Sequence, residues 1–330
     1  MSRITGINIT ALVRQELQDG LNPVLILRHA RRHSTTPDNW TLNYIEKIRT
    51  QLSSRRIVRN QPVETQTSVL DIDPRITFGV EIEFLRPERI SKEEITKKIR
   101  QAGLRCQTED YNHLTKKHWK LIHDQTVRTN ENNFEGENEL VSPILKGIDG
   151  LKQVEKVCKA LKDLGCKVNY SCGLHVHHGC KKAFQNPVTV AKNAALIYRN
   201  YQNKINQILS PSRRNCEYAW QLSASEANTI SRLQRINGNE IERYRVVNLQ
   251  AYVRHGTVEF RQHQGTINFK KIANWVKITQ RIMIRANELA QQRTNIIRHN
   301  FAPQLQNELS FTTELNQYYE QRVQLLRLAA

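Results

Sequence analysis

Two glutamates at a spacing of two mark the stretch F-G-V-E-I-E-F, residues 78–84. Val80, Ile82 and Phe84 alternate with Glu81 and Glu83, the period-two pattern of a half-buried strand, so both carboxylates leave the sheet on one face. Like charges that close repel, and both stay ionised only if a cation lies between them. Oxygen ligands suit a hard cation such as magnesium or manganese. The same device recurs twice. In G-L-H-V-H-H-G (173–179), Leu174 and Val176 alternate with His175 and His177. In T-V-E-F-R-Q-H (257–263), Val258 and Phe260 alternate with Glu259, Arg261 and His263. E-N-E-L-V-S-P-I-L (137–145) adds Glu139, with Glu137 two residues earlier. Taken singly, these strands read as a solvated carboxylate face, a satisfied histidine and a cross-strand ion pair. Taken together, rows of charge facing one cleft require a bound counter-charge. Glu81, Glu83, Glu139, Glu259 and His175 make a donor set large enough for two divalent cations sharing phosphate oxygens. Arg261 then presents its planar fork to a phosphate. The H-x-H spacing beside several glutamates also suits zinc, so a zinc-dependent hydrolase stands as an alternative.

Regular elements must position these groups. Ser91 followed by Glu94, with Gly103 beyond, predicts a capped helix over 91–103. Trp119–His123 reads as a strand delivering H-D-Q-T (123–126), and the polar loop Thr129–Asn138 is the candidate lid. Asp149–Leu164 is a helix with Leu151, Val154, Val157, Cys158, Leu161 and Leu164 on its buried stripe. Lys167–Gly179 reads as two short strands around Ser171-Cys172-Gly173. A helix runs from Val188 to about Ser210, P-S-R-R-N (211–215) makes a basic turn, and a strand covers 255–263. Phe269–Leu289 and Gln304–Leu328 close the chain as helices. Strands charged on one face, followed by helices, predict an α+β domain whose sheet is open on its polar side.

The chain has 330 residues, with 50 Lys and Arg against 31 Asp and Glu and a formal charge of +19. That excess calls for an anionic partner, with nucleotide, nucleic acid, acidic peptide and membrane surface all in the class. No segment has the run of uncharged apolar residues that a membrane span needs. Six cysteines form no C-x-x-C pair, which argues against a zinc ribbon and for reduced thiols, with a cytoplasmic location as the expectation. There is no P-loop, no G-x-G-x-x-G turn and no G-x-S-x-G elbow. Residues 1–70 carry ten Lys/Arg against five Asp/Glu. Candidate helices lie at Ile9–Leu17 and Trp40–Leu52, around a turn at Ser34–Asp38. This segment reads as a basic extension or docking arm. The expected organisation is therefore an extension over 1–70, a catalytic domain over 71–270 and C-terminal helices over 271–330.

Four motifs in order, G-V-E-I-E-F, E-L-V-S-P-I-L, C-G-L-H-V-H and T-V-E-F-R-Q-H-Q-G-T, resemble the amidoligase family, with P-S-R-R-N and R-Y-R-V-V-N-L (243–249) in keeping. The resemblance covers roughly residues 75–270. It implies ATP-dependent carboxylate–amine ligases with a glutamine synthetase-like core, a curved antiparallel sheet whose concave face holds ATP with magnesium or manganese. On that resemblance Glu81 and Glu83 bind separate ions, Glu139 joins the ion of Glu83, and His175 and Glu259 complete that of Glu81. His177 and Arg261 contact ATP phosphates. Arg243, Arg245 and Arg254 are candidates for nucleotide or acyl-phosphate contacts, and Asp124 for orienting the amine, so Asp124, Glu259 and Arg261 form the catalytic set. Glutamine synthetase has two metal glutamates where this chain has Glu139, and Glu137 is the candidate for the second place. The implied substrates are a carboxylate and an amine on a peptide, protein or metabolite, possibly acidic in character. A catalytically inactive, nucleic-acid-binding version of the fold is a further alternative, disfavoured because clustered carboxylates repel a phosphate backbone.

The extension lies outside the resemblance and should serve recognition. Removing residues 1–70 is expected to leave magnesium-dependent ATP binding intact by calorimetry. Loss of binding in a fragment that still melts cooperatively would show that the extension builds the site.

Overall fold

The alternation over residues 78–84 becomes the central strand of a sheet. In the computed structural model, residues 41–55 and 72–327 are described, together with Val13, Ile26, Leu27, Ala30 and Arg31. The strands are β1 (Phe78–Pro87), β2 (Cys106–Thr108), β3 (Trp119–His123), β4 (Phe134–Val141), β5 (Gly173–Gly179), β6 (Val247–Asn248) and β7 (Thr257–Gln264). They form one open seven-stranded sheet in the order β2-β3-β4-β1-β5-β7-β6. Every pairing is antiparallel except β2 with β3, which run parallel. The sheet is backed by helices, giving the α+β class.

Val80, Ile82 and Phe84 are buried at 1%, 0% and 0% exposure, as the alternation requires. Leu174, Val176, Val258 and Phe260 share that apolar side. It is covered by α4 (Pro187–Ile205) and the long α7 (Phe269–Gln291), whose Trp275, Val276, Ile278 and Met283 are buried. His178 hydrogen-bonds Thr279 of α7 at 2.8 Å, and Gln280 of α7 donates to the carbonyls of Asp73 and Ile76 just ahead of β1. The strand that carries Glu81 and Glu83 is thereby tied to the helix beneath it.

The remaining helices of the described chain are α1 (Leu42–Arg55), α2 (Lys92–Gln101), α3 (Gly147–Asp163), α5 (Ala224–Arg232), α6 (Gln250–His255), α8 (Leu305–Glu308) and α9 (Thr313–Arg327). Ser91 and Glu94 form the expected reciprocal cap on α2. The stripe of α3 is buried at Leu151, Val154, Val157, Cys158 and Leu161, while Leu164 just past its end is half-buried. Among the described residues no helix is long and apolar enough to cross a membrane. Cys106, Cys158, Cys166, Cys172 and Cys180 are buried free thiols, each pushed up to about 12 by burial; Cys216 is half-buried.

The chain divides into two units, Val69–Arg322 with the sheet, and a smaller one from Met1–Ser68 and Val323–Ala330. In the smaller unit α1 realises the helix expected at Trp40–Leu52, and Ile45 and Ile48 pack with Val13, Ile26 and Ala30. Apart from Val13, the helix expected at Ile9–Leu17 lies outside the described residues, as does the turn at Ser34–Asp38.

Several elements differ from expectation. Lys167–Gly179 contains a single strand, β5 (Gly173–Gly179), and the earlier half contributes only an isolated bridge from Lys167 to Leu85. The strand expected from 255 starts at Thr257, because α6 runs to His255 and Gly256 turns the chain with φ +70°. Gln304–Leu328 is two helices, broken where Ser310 adopts φ +47° and the Thr312 hydroxyl accepts from the Leu315 N–H. Residues 134–138 of the expected lid belong to β4. His263 does not face the cleft with Glu259 and Arg261. A register shift between β5 and β7 pairs Leu174 with His263 and turns its ring onto Trp275, with ring centroids 5.2 Å apart.

Burial pushes the His263 imidazole down to about 3, far below its ordinary 6.5. The folded state therefore prefers it neutral, so its contribution is complete above about pH 6.5 and is lost as pH falls toward 3. The melting temperature is expected to drop on acidification from neutrality. A His263→Gln variant, which cannot charge, should show a shallower drop, and an unchanged slope would contradict the assignment.

Candidate active site

Strand register brings the ionisable groups together. Glu81 of β1 lies opposite His175 of β5, Glu83 of β1 opposite Glu139 of β4, and His177 of β5 opposite Glu259 of β7. Three cross-strand pairs on adjacent ladders thus converge on the polar face. Glu83, Glu139, His175, Glu259 and Arg261 are each 3–6% exposed, so the cluster lies deep in the polar face. Glu81 keeps a quarter of its side chain accessible.

His175 Nδ1 lies 3.0 Å from Glu81 Oε2 and 3.8 Å from Glu259 Oε1, and its Nε2 is 3.6 Å from Glu83 Oε1. His177 Nε2 is 3.3 Å from Glu81 and 3.8 Å from Glu259. The Gly173 N–H donates to Glu83 Oε2 at 2.6 Å, and Asn248 Nδ2 donates to Glu259 Oε2 at 2.6 Å. Arg261 pairs with Glu259 on its own strand and donates to the Tyr218 carbonyl.

Electrostatics divide the carboxylates into two kinds. Burial opposes ionisation of Glu81, but the hydrogen bond with His175 and the nearby imidazole of His177 hold it well below the ordinary carboxylate range. Burial likewise opposes Glu259, and Arg261 and His177 outweigh it. Glu139 is held well above that range by burial and by the Glu81, Glu83 and Asp124 carboxylates. Burial raises Glu83 as well, against the pull of His175. Burial disfavours a charged His177, yet Glu259 and Glu81 raise it above its ordinary value. Burial and neighbouring carboxylates thus work against ionisation of Glu83 and Glu139, and a multivalent cation would relieve that repulsion.

Three overlapping donor sets have ligand atoms within 4.8 Å of one another: Glu81–Glu139–His175, Glu81–His177–Glu259 and Glu83–Asp124–Glu139. The residues fit a divalent ion on a specific observation. His177 Nε2 is buried without a hydrogen-bond partner, while its Nδ1 is held by Thr257 Oγ1 at 3.0 Å. One ring nitrogen anchored and the other aimed at carboxylates is the pattern of a metal-ligating histidine.

Two placements depart from the sequence reading. His177, expected on phosphate, sits in a donor set with Glu81 and Glu259. Glu137, expected to supply the second glutamate, has φ +61°, is about half exposed and reaches His123 at 3.4 Å. Asp124 takes that place beside Glu83 and Glu139, fixed by the Thr126 N–H and hydroxyl at 2.8 and 2.7 Å.

The polar face opens into a cavity of about 860 Å³ lined by all the predicted site residues except Glu137, Arg245 and His263. Arg245 is instead engaged by Glu226 and Glu242. Arg243 and Arg254 do line the cavity. Sequence reasoning missed four contributors on the wall or at the cluster: Lys120, Gly173, Arg213 and Asn248. Arg213 is 3% exposed and donates to the carbonyls of Arg261 and Gln262. Its signal was P-S-R-R-N, and that of Asn248 was R-Y-R-V-V-N-L; both stretches had been singled out without a role for these residues.

Gly173 faces a tight convergence. A Cβ there would stand 3.1 Å from His175 Nε2, 3.2 Å from Arg213 Nη2 and 3.4 Å from Glu83 Oε1. Gly173→Ala should fold but displace these groups, weakening manganese binding by about tenfold or more, as for loss of supporting contacts to metal ligands. Calorimetric titration with Mn²⁺ checks this, and unchanged affinity would remove Gly173 from the site.

A search of curated proteins finds no match. A protein-family model described as "Putative amidoligase enzyme" matches residues 74–283, a span that begins just before β1 and ends inside α7. It contains every strand of the sheet and every group in the carboxylate–histidine cluster. This chain belongs to the amidoligase family.

Proposed function

We propose that the protein is an ATP-dependent carboxylate–amine ligase with a glutamine synthetase-like core, using magnesium or manganese. The observation that carries the reading is the buried cluster in which Glu83 and Glu139 face each other across paired strands beside the His177 Nε2, which has no hydrogen-bond partner. Five carboxylates against two imidazoles favour a hard, oxygen-preferring cation over zinc. This is why the hydrolase ranks second; metal analysis of the purified protein separates the two.

In this reading Glu83, Asp124 and Glu139 hold one ion, while Glu81, Glu259 and the two histidines hold another. The ions supply charge neutralisation on phosphate oxygens. Arg213 and Arg261 stand beside the cluster as the buried cations that meet the transferring phosphoryl group, with Arg243 and Arg254 further along the cavity. A substrate carboxylate oxygen attacks the γ-phosphorus of ATP, the bond to the β,γ-bridging oxygen breaks, and ADP leaves, giving an acyl phosphate. An amine then attacks the acyl carbon, the C–O bond to phosphate breaks, and the amide forms with loss of phosphate and a proton. Preorganised charge supplies most of the catalysis in such transfers. Burial of the cluster excludes the water that would hydrolyse the intermediate.

Glu259 and Arg261 test this reading because they would fail differently. Glu259→Gln removes a ligand charge, so ADP release should fall and recover in part at high magnesium. Arg261→Lys keeps the charge but loses the two-pronged fork. It should lower turnover by roughly a hundredfold or more, without metal rescue. Calorimetry should show ATP binding that requires a divalent ion. Absence of such binding at millimolar ATP, or near-normal turnover in both variants, would sink the proposal.

A further inference from the structure

One end of the cavity differs in chemistry from the rest. β4 and β5 finish there and β7 begins, with Gly179 level with Thr257. Glu259, level with His177, is the carboxylate of the cluster nearest this end; Glu81, level with His175, comes next, and Glu83 lies deeper. The loops leaving this end carry Lys181 and Lys182 after β5 and Ile144 after β4, while Arg254 comes from α6. Arg243 lines the same cavity. None of these four cations lies within ion-pair distance of a carboxylate among the described residues. Burial, and then the charges of Arg254 and Arg243, push the nearby His113 imidazole below its ordinary value.

The rim is also apolar. Tyr111, Leu114, Ile144, Tyr244 and Val253 all line the cavity, at 54%, 62%, 66%, 40% and 44% exposure. They are half of the ten large hydrophobic side chains exposed in the described protein. A small ligand held among the carboxylates would leave them in water. A chain that runs out over the edge would cover them. Tyrosine and arginine around a cluster of exposed aliphatic groups is the composition of a protein-recognition surface. Lys181 lies over the Tyr252 ring and Arg243 over that of Tyr244, but cations with no carboxylate beside them add selection for acid.

Resting on the ligase reading above, we propose that the carboxylate substrate is carried by an acidic polypeptide. It lies across this mouth with its carboxylates on Lys181, Lys182, Arg243 and Arg254 and its apolar side chains on Ile144, Leu114 and Val253. The segment inserts one carboxylate toward Glu81 and leaves the rest of its length on the rim. Neither the metal cluster nor the phosphate-facing Arg213 and Arg261 takes part in this contact.

Fluorescence anisotropy on the full-length protein, with a labelled Glu- and Leu-rich peptide and its Gln-for-Glu counterpart, tests the assignment. The acidic peptide should bind about tenfold more tightly or better, as two opposed charge pairs allow. The double variant Lys181→Glu/Lys182→Glu should lose that preference, and Ile144→Ser should weaken both peptides several-fold. Magnesium-ATP affinity, measured by calorimetry, should stay unchanged in both variants. Equal affinity for the two peptides, or an acidic preference that survives the double variant, overturns the inference. Tighter binding of a single-stranded oligonucleotide than of the acidic peptide, lost in the same variant, assigns the rim to nucleic acid and also overturns it. If magnesium-ATP fails to bind while the peptide preference holds, the ligase reading fails and the polypeptide surface remains.

Discussion

Glu83 and Glu139 stand directly opposite each other on paired strands, and both are almost fully buried. Like charges in that register destabilise a sheet, and burial adds desolvation to the repulsion. Much of the surrounding architecture compensates for this one juxtaposition. The Gly173 N–H holds an oxygen of Glu83, His175 stands beside it, and Arg213 contributes positive charge from the turn beyond α4. Arg213 in turn is fixed by two carbonyls of β7, the strand that supplies Glu259 and Arg261. A sheet that tolerates such a pair has a standing preference for any ligand that brings positive charge to it.

The central strand was legible from its own residues because alternation is local. Val80, Ile82 and Phe84 are in the core and Glu81 and Glu83 are on the polar face. The capping box at Ser91 and Glu94 was legible for the same reason, since both partners lie within one turn. What could not be read depended on pairing between distant segments. Period-two counting placed His263 with Glu259 and Arg261, but a register shift against β5 breaks the count between Phe260 and His263. Glu137 has the right spacing from Glu139, yet its left-handed backbone turns it out to His123. Asp124, in a different strand-end loop, has no sequence relation to Glu83 that would announce their meeting. Arg245 resembled its neighbour Arg243, and only the fold shows that Glu226 of α5, a helix the sequence reading did not anticipate, engages it.

The apolar side of the sheet has its own polar accounting, and it bears on the site from beneath. Gln262 points away from the cleft, where its amide oxygen accepts from Tyr198 and its nitrogen reaches Asn206 and the Arg213 carbonyl. The helix α4, the turn with Arg213 and strand β7 are thereby locked to one another by a single buried amide. Such fully satisfied networks hold geometry more tightly than apolar packing alone. Arg213 depends on that lock for its aim into the cavity, so the polar face inherits its order from residues on the far side of the sheet.

The cysteines give this protein an uneven chemical surface. Five thiols are buried and pushed up to about 12, which leaves almost no thiolate at neutral pH. Cys216 alone is half-buried, two residues before Tyr218 on the cavity wall. A maleimide dye offered to the folded protein should therefore settle at one address. That address lies beside the stretch through which Arg213 and Tyr218 approach Arg261. The native sequence thus carries its own attachment point for a reporter beside the cavity, with no cysteine to remove and none to add.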